Sequence, residues 1–160
     1  MLFRVLALMS LLICRWRFPA GVSIAVIIRR RYGPTVLQQF RLVQRTDYKL
    51  RKIRSDTQFL ETCEKNGLIP KFLHFKLYNK ILHRTQHYRD YQKKLLEEEI
   101  RGKRRLLHQS VFKLDQVTNV LKNSVSRLDF IHLSNCINRV NASSIEKVSH
   151  VHSSKLEKLR

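Results

Sequence analysis

The feature that most constrains the fold of this chain is a long series of positions spaced three or four residues apart. Nine of its ten members are apolar, and the series consists of Leu96, Ile100, Lys103, Leu107, Val111, Leu114, Val117, Leu121, Val125 and Leu128. Residues at this spacing share one face of an α-helix, and a repeat sustained over many turns indicates lengthwise packing on another long helix or on a second chain. With Tyr88 and Tyr91 in front of it, the series predicts one helix of about 40 residues.

A second series with the same spacing lies earlier in the chain. Its apolar or small members are Val43, Thr46, Leu50, Ile53, Thr57 and Leu60, which predict a helix from about Thr35 to Glu64. Gly33-Pro34 precedes this helix and Asn66-Gly67 ends it, because glycine readily takes the left-handed conformation that closes a helix. An extended connector, Leu68-Ile69-Pro70, is expected next. A short amphipathic helix follows with Phe72, Phe75, Leu77, Ile81 and Leu82, of which we expect Phe72 and Phe75 to be buried.

A third helix is predicted at the carboxyl end of the chain. Its series comprises Phe130, Leu133, Ile137, Val140, Ser144, Val148 and Val151, followed by Leu156 and Leu159. Ser126 and Asp129 are candidate caps between this helix and the preceding one, because short polar side chains accept hydrogen bonds from the free amides of a helix start. Two long helices joined by so short a break form an antiparallel hairpin.

The composition agrees with a wholly helical chain. Only 4 Gly and 3 Pro occur in 160 residues, and no stretch alternates apolar and polar residues for long, which argues against a sandwich, a barrel or a doubly wound sheet. The 3 cysteines, Cys14, Cys63 and Cys136, are far apart and odd in number, so a disulfide framework is not expected. The predicted fold class is all-α, a long helical hairpin or coiled-coil-like bundle over residues 35–160 behind a leader over residues 1–34.

The leader is hydrophobic and rich in arginine. Its apolar runs, Val5 to Cys14 and Phe18 to Ile28, are separated by Arg15 and Arg17, and neither reaches the ~20 residues that span a bilayer. Arg4 and the first run resemble the start of a secretory signal, but no clean cleavage site follows. The lack of acids suits a mitochondrial presequence, although serine is scarce. The segment is therefore interpreted either as a signal, an anchor or another membrane-associated address, or as a non-functional leader from a mispredicted start.

Net charge is the strongest functional signal. The chain has 32 Lys and Arg against 12 Asp and Glu, which gives a formal charge of +20. Residues 1–46 and 47–108 carry +8 each, and residues 109–160 carry +4. A field this positive repels itself unless an anion neutralises it, so a polyanionic partner is expected.

Cations and aromatic rings interleave in the middle of the chain. The candidate nucleic-acid-binding residues are Lys71, Lys76, Lys80, Arg84, Arg89, Lys93, Lys94, Arg101, Lys103, Arg104 and Arg105, and the candidate stacking residues are Tyr78, Tyr88 and Tyr91. Cations hold phosphates while rings stack on unpaired bases, so RNA or DNA is the expected partner. The alternative interpretation is an ordinary solvated charged face.

No metal or catalytic site is expected from the histidines or from known motifs. His83 and His87 share a helix face, but no third ligand has a matching spacing. His150 and His152 are two residues apart and do not share a face, so all four are interpreted as surface histidines. The sequence contains no Gly-rich phosphate loop and no nucleophile motif, and no cofactor is expected.

The acidic cluster has a similarly ordinary interpretation. The three carboxylates from Glu97 to Glu99 precede a basic run, and we expect i,i+4 salt bridges of Glu97 with Arg101 and of Glu99 with Lys103. Asn141-Ala142-Ser143 is a glycosylation sequon, which matters only if the chain is secreted.

A family resemblance emerges from the order of several short segments. These are Phe59-Leu60, Cys63, Leu68-Ile69-Pro70-Lys71-Phe72, Phe75-Lys76-Leu77, Leu95-Leu96, Glu99-Ile100-Arg101, and Lys155-Leu156 with Leu159. Together they resemble the helical region upstream of the polymerase in reverse-transcriptase proteins of Penelope-like retroelements, over about residues 40–160. The aspartate-bearing polymerase motifs are missing, and Tyr88-Arg89-Asp90-Tyr91 is not one of them. The resemblance implies a non-catalytic nucleic-acid-binding region.

Two function classes follow. The first is a basic helical region that binds RNA or DNA, located in the nucleus or cytoplasm. The second is a helical coiled-coil protein whose leader anchors or targets it to an anionic membrane surface or to mitochondria. Self-association through the coiled-coil series is compatible with both.

Overall fold

The computed structural model describes residues 23–74 and 86–160, apart from the side chains of residues 74 and 86–88. Over these residues the backbone forms five helices and no β-strand. They are α1 (Ile24–Tyr32), α2 (Pro34–Lys65), α3 (Lys71–His74), α4 (Gln86–Ser124) and α5 (Arg127–Glu157). The all-α fold class is confirmed. The chain divides into two compact units between Gln38 and Gln39.

In the first unit, capping residues set both ends of α1. The Ser23 side chain accepts a hydrogen bond from the backbone amide of Ala25, which satisfies one of the free donors at the helix start. Gly33 ends the helix with φ of 89°, a conformation that few other residues take without strain. Pro34 then begins α2, where its missing amide hydrogen costs nothing. The break predicted at Gly33-Pro34 is confirmed.

The end of α2 is a Schellman turn. Gly67 has φ of 65°, its amide donates to the carbonyl of Glu64, and the amide of Leu68 donates to the carbonyl of Cys63 at 2.8 Å. These two bonds satisfy carbonyls that an α-helix leaves open at its end. Leu68 packs on the cluster that contains Cys63, which is the apolar contact that commonly accompanies this motif. The predicted helix over 35–64 and its stop at Asn66-Gly67 are therefore confirmed.

The connector ends in α3, a single turn. Leu73 is fully buried there, whereas Phe72 is 45% exposed. The prediction that Phe72 is buried is wrong, because the turn directs its neighbour Leu73 into the core. Phe75 and the remainder of the predicted amphipathic helix, to Leu82, lie outside the described residues.

The two long helices α4 and α5 form the predicted hairpin. Ser126 caps α5 by accepting from the amide of Asp129 at 3.2 Å, while its hydroxyl donates to the Asp129 carboxylate at 2.8 Å. Asp129 also places negative charge in the first turn, where the helix dipole favours it. Ser126 is thus the cap, and Asp129 is its partner inside the helix.

In the second unit, α2, α4 and α5 pack as three long helices. Asp47 contacts Asn141, and further along both helices Ser55 contacts His152, so α2 and α5 run parallel. Because α4 and α5 form a hairpin, α4 runs antiparallel to both. The core cluster at one end consists of Leu60, Cys63, Leu73, Leu96 and Ile100, with Phe59, Leu68, Ile69, Leu95, Leu156 and Leu159 packed against it.

Burial follows the predicted series only in part. On α2 the series is buried except for the half-buried Ile53, and on α4 it is buried at Leu96, Ile100 and Leu121. Val111 and Leu128 of the α4 series, and Val140 and Val151 of the α5 series, are exposed. On α5 the buried positions are Leu133, Ile137 and Asn141, spaced by four. Leu128 lies beyond the end of α4 at Ser124, in the first turn of α5, so the predicted single series runs across the break between two helices.

Candidate nucleic-acid interface and lysine-rimmed cavity

The structure describes eight of the eleven predicted nucleic-acid-binding residues. Seven are exposed, namely Lys71, Arg89, Lys93, Lys94, Arg101, Arg104 and Arg105. Lys103 is half-buried, and Lys76, Lys80 and Arg84 lie outside the described residues. Of the stacking candidates, Tyr91 is exposed, Tyr78 lies outside the described residues, and the Tyr88 side chain does so as well.

One group of these cations lies on the outer side of α4, opposite the buried Leu96 and Ile100. Lys94, Arg101 and Arg105 are separated by steps of seven and four residues, which brings them to one helix face. At a rise of 1.5 Å per residue they extend over about 16 Å. None of the three forms a salt bridge with another described residue. Their positive charges are therefore exposed and not neutralised by another described side chain.

Phe112 continues this face by a further seven residues. It is 67% exposed, which is unusual for so large an apolar side chain. Phe112 is absent from the predicted binding residues because the apolar series assigns the adjacent Val111 to the core. The spacing does indicate an exposed position, because Phe112 lies seven residues after Arg105 and so shares its helix face, whereas it lies five residues after Leu107 and does not share that face. We call Lys94, Arg101, Arg105 and Phe112 the outer stripe.

Two other predicted cations take part in helix packing. Lys103 Nζ lies 3.5 Å from the Asp56 carboxylate, and Arg104 donates to Glu61 at 2.7 Å. Both salt bridges join α4 to α2. Lys103 thus reaches across the interface to Asp56, and its predicted pairing with Glu99 along one helix stays a prediction. This also explains why a lysine occupies a position in the otherwise apolar series.

A cavity of about 400 Å³ opens beside these contacts, in the second unit. Its lining residues are Asp56, Phe59, Leu60, Pro70, Lys71, Phe72, Glu99, Lys103, His152, Lys155, Lys158 and Leu159. The walls are mainly apolar, and lysines from α3, α4 and the end of the chain surround them. A cavity of this volume falls within the range that holds small organic ligands.

His152 closes one side of the cavity through contacts to α2. Its Nδ1 lies 3.1 Å from Ser55 Oγ, its Nε2 lies 3.2 Å from Asp56 Oδ1, and its ring stacks on Phe59 at 4.8 Å. A neutral imidazole satisfies both contacts, with Nε2–H donating to the carboxylate and Nδ1 accepting from the hydroxyl. The interpretation of His152 as a surface histidine is wrong, because two polar partners on α2 make its burial favourable.

Burial also sets the protonation behaviour of His152. Removal from solvent lowers the pKa of the imidazole below its ordinary value, and this effect exceeds the opposing attraction of Asp56. Lys155 and Lys52 lower the pKa further by repulsion. The neutral form is therefore the one that the fold favours.

Ser55, His152 and Asp56 contact one another in the order found in a catalytic triad of serine, histidine and aspartate. Ser55 is only 8% exposed and does not line the cavity, so a substrate has no route to its hydroxyl there. The amides around it lie inside α2 and bond to carbonyls of the helix, so they do not form an oxyanion site. The three residues are best understood as a polar connection between helices.

A second polar connection lies further along the same two helices. The Asn141 amide donates to the carbonyl of Gln44 at 3.0 Å and to Asp47 Oδ2 at 2.8 Å, and Asn141 is 2% exposed. Arg51 joins the group by donating to Asp47 at 2.8 Å and to Asn138 at 2.6 Å. In this fold the sequon asparagine is therefore inaccessible to a glycosylating enzyme.

The cysteines and acids of the described residues form no group of three or more side chains that suits a metal ion. Burial raises the pKa of the Cys63 thiol. It also raises that of Cys136, where Arg139 opposes the effect. Both thiols therefore stay protonated and weakly reactive. His83 lies outside the described residues, as does the His87 side chain.

Comparison with known proteins gives no match. No model of a protein family, no curated protein and no solved structure is significantly similar to this chain. Among the helices that the structure describes, none combines the length and apolar character needed to cross a bilayer.

Proposed function

We propose that the chain is a non-catalytic helical protein that binds RNA or DNA, and that the outer stripe of α4 is its contact surface. The observation that carries this proposal is the face formed by Lys94, Arg101 and Arg105, three exposed cations without salt bridges to other described residues. A chain with a charge of +20 attracts polyanions from all sides, and this face offers them a straight row of contacts.

The chemistry of such a contact is electrostatic, with stacking added at one end. Cations that neutralise phosphates release condensed counterions, which drives binding without reading the base sequence. Phe112 offers an exposed ring in line with these cations, and a ring stacks on any unpaired base. We therefore expect a preference for single strands and little sequence preference.

The resemblance to the region upstream of the polymerase in Penelope-like retroelement proteins supports the same class of function. That region precedes a polymerase, and this chain lacks the aspartate-bearing motifs that bind the catalytic metals. The proposed role is accordingly to hold nucleic acid. Primer extension or metal-dependent cleavage by the purified chain would contradict the non-catalytic part of the proposal.

Salt dependence tests the proposed surface. The triple variant Lys94→Glu, Arg101→Glu, Arg105→Glu is compared with Lys113→Glu, Lys122→Glu, Lys147→Glu, which makes the same change of charge at exposed positions elsewhere. Affinity for a single-stranded oligonucleotide is measured by fluorescence anisotropy from about 50 to about 200 mM salt. Loss of three phosphate contacts should reduce the slope of log affinity against log salt by about 2 in the stripe variant.

The matched variant separates a defined surface from diffuse attraction. Its slope should remain close to that of the unaltered chain, and circular dichroism should show both variants folded. Equal loss of slope in the two variants would show that binding is spread over the whole surface. No binding by the unaltered chain at low salt would remove the proposal, and binding to anionic vesicles alone would favour the membrane-associated alternative.

Phe112→Ala tests the stacking contribution. A stacked base is worth about 1–3 kcal/mol, so affinity for a single strand should fall about fivefold or more. Affinity for a duplex should change little, because its bases are already paired. The control is Val120→Ala, which removes another exposed apolar side chain of α4. Equal effects on single and double strands would assign Phe112 no stacking role.

A further inference from the structure

The cavity beside His152 is lined by apolar and ionisable side chains. Phe59, Leu60, Pro70, Phe72 and Leu159 supply its apolar surface. Every polar side chain among the lining residues is ionisable, and none is a neutral amide or hydroxyl. Such walls favour a hydrocarbon body and offer few partners for the edge of a nucleobase, whose polar atoms would be buried without hydrogen bonds.

Charge is distributed unequally around this cavity. Of the two lining carboxylates, Asp56 binds Lys103 and His152, and Glu99 is also engaged in a contact. Lys71, Lys155 and Lys158 are exposed, and none of them forms a salt bridge with another described residue. The free charge at the rim is therefore positive and complements an anion.

We propose that this cavity binds a single-chain amphiphile, with its alkyl chain against the apolar walls and its carboxylate or phosphate headgroup among Lys71, Lys155 and Lys158. The apolar part of the ligand then contacts apolar side chains, and its anionic part contacts cations. Burial of the ligand's alkyl chain against the apolar walls supplies most of the affinity, and the lysines select an anionic headgroup. The proposal is independent of nucleic-acid binding, because none of the outer-stripe residues lines the cavity.

Isothermal titration calorimetry with three ligands of equal chain length tests the site. Dodecanoate, dodecyl phosphate and dodecanol are used below the concentrations at which they aggregate. Dodecanoate or dodecyl phosphate should bind at least about tenfold more tightly than dodecanol, a difference of about 1.4 kcal/mol. The stronger of the two anions identifies the headgroup. Equal affinity for dodecanol would overturn the role of the lysines.

Two pairs of variants locate the binding. Lys71→Gln, Lys155→Gln, Lys158→Gln should lose the preference for anions, whereas Lys113→Gln, Lys122→Gln, Lys147→Gln should keep it. Phe72→Asp introduces a negative charge at an exposed position of the wall and should abolish binding, whereas Val120→Asp, at an exposed position of α4 away from the cavity, should not. Unaltered binding in the first member of each pair would overturn the proposal.

A nucleotide ligand distinguishes a cavity that binds an alkyl chain from one that binds a nucleobase. Adenosine monophosphate carries a phosphate on an aromatic, polar-edged body, and it should bind at least about tenfold more weakly than dodecanoate. Tighter binding of the nucleotide, sensitive to Phe72→Asp, would overturn the proposal in favour of a nucleotide site.

Discussion

Asn141, on the last long helix, donates a hydrogen bond of 2.8 Å to the carboxylate of Asp47, on the first long helix, from a position that is almost completely buried. The pair lies between apolar stripes that would tolerate several relative positions of the two helices. A shift of either helix would leave the buried Asn141 amide without acceptors and Asp47 with Arg51 as its remaining partner among these contacts, and an unsatisfied buried amide costs free energy. We infer that this pair sets the register of α2 against α5.

Asn141→Ala should therefore destabilise the fold. The change leaves the Gln44 carbonyl without this donor and removes one partner of Asp47, at a cost of about 1–3 kcal/mol. Asn141→Asp should cost more at neutral pH, because it places a second carboxylate beside Asp47. Urea denaturation measures both, with Asn135→Ala at an exposed position of α5 as the control. An Asn141→Ala variant as stable as this control would show that the register has another origin.

Stability should depend on pH through His152. Its pKa is lowered in the folded chain below the ordinary value of 6.5, so the unfolded chain binds more protons as the pH falls. The stabilisation is fully present above pH 6.5 and is lost as the pH falls from 6.5 toward the lower folded pKa. Urea midpoints between about pH 5 and about pH 8 measure the effect.

His152→Gln provides the comparison for this titration, because glutamine keeps a polar side chain and does not titrate in that range. The variant should be less stable at high pH and should show a flatter dependence between about pH 5 and about pH 7. His150→Gln, at an exposed neighbouring position, should keep the dependence of the unaltered chain. A steeper loss of stability at low pH in His152→Gln than in the unaltered chain would contradict the assignment.

Adjacent residues on α4 should differ sharply in their contribution to stability. Leu121 is fully buried and Val120 is 52% exposed. Leu121→Ala removes packed atoms and leaves a cavity, which costs about 2–5 kcal/mol. Val120→Ala should change the free energy of unfolding by less than about 0.5 kcal/mol. Thermal and urea denaturation compare the two, and similar values would mean that α4 is rotated from the position described.

Gly102→Ala should stabilise the chain. Gly102 lies inside α4, and a Cβ atom built there meets nothing within 4 Å. Alanine is favoured over glycine within a helix by about 1 kcal/mol, because it loses less backbone entropy on folding. A higher melting temperature, with nucleic-acid affinity unchanged, is the expected result. Reduced affinity would instead indicate that a ligand approaches the helix closely at this position.

Much of the local structure followed from the sequence alone. The long helices were predicted close to their observed bounds, and Gly33, Gly67 and Ser126 mark their ends as expected. Helix periodicity and capping depend on residues a few positions apart. The amino-acid sequence alone therefore predicts where helices lie and where they end. The all-α class and the α4–α5 hairpin follow from the same local signals.

The tertiary structure decided which polar residues enter the core and which apolar ones remain outside. Asn141 is buried and the His152 side chain is 15% exposed, because Asp47, Ser55 and Asp56, more than 90 residues earlier, supply their hydrogen-bond partners. Phe112 stays exposed on the opposite side of α4 from the core. The free energy of burying a polar group depends on a partner that only folding brings near, and the sequence pattern of a single helix does not contain that partner.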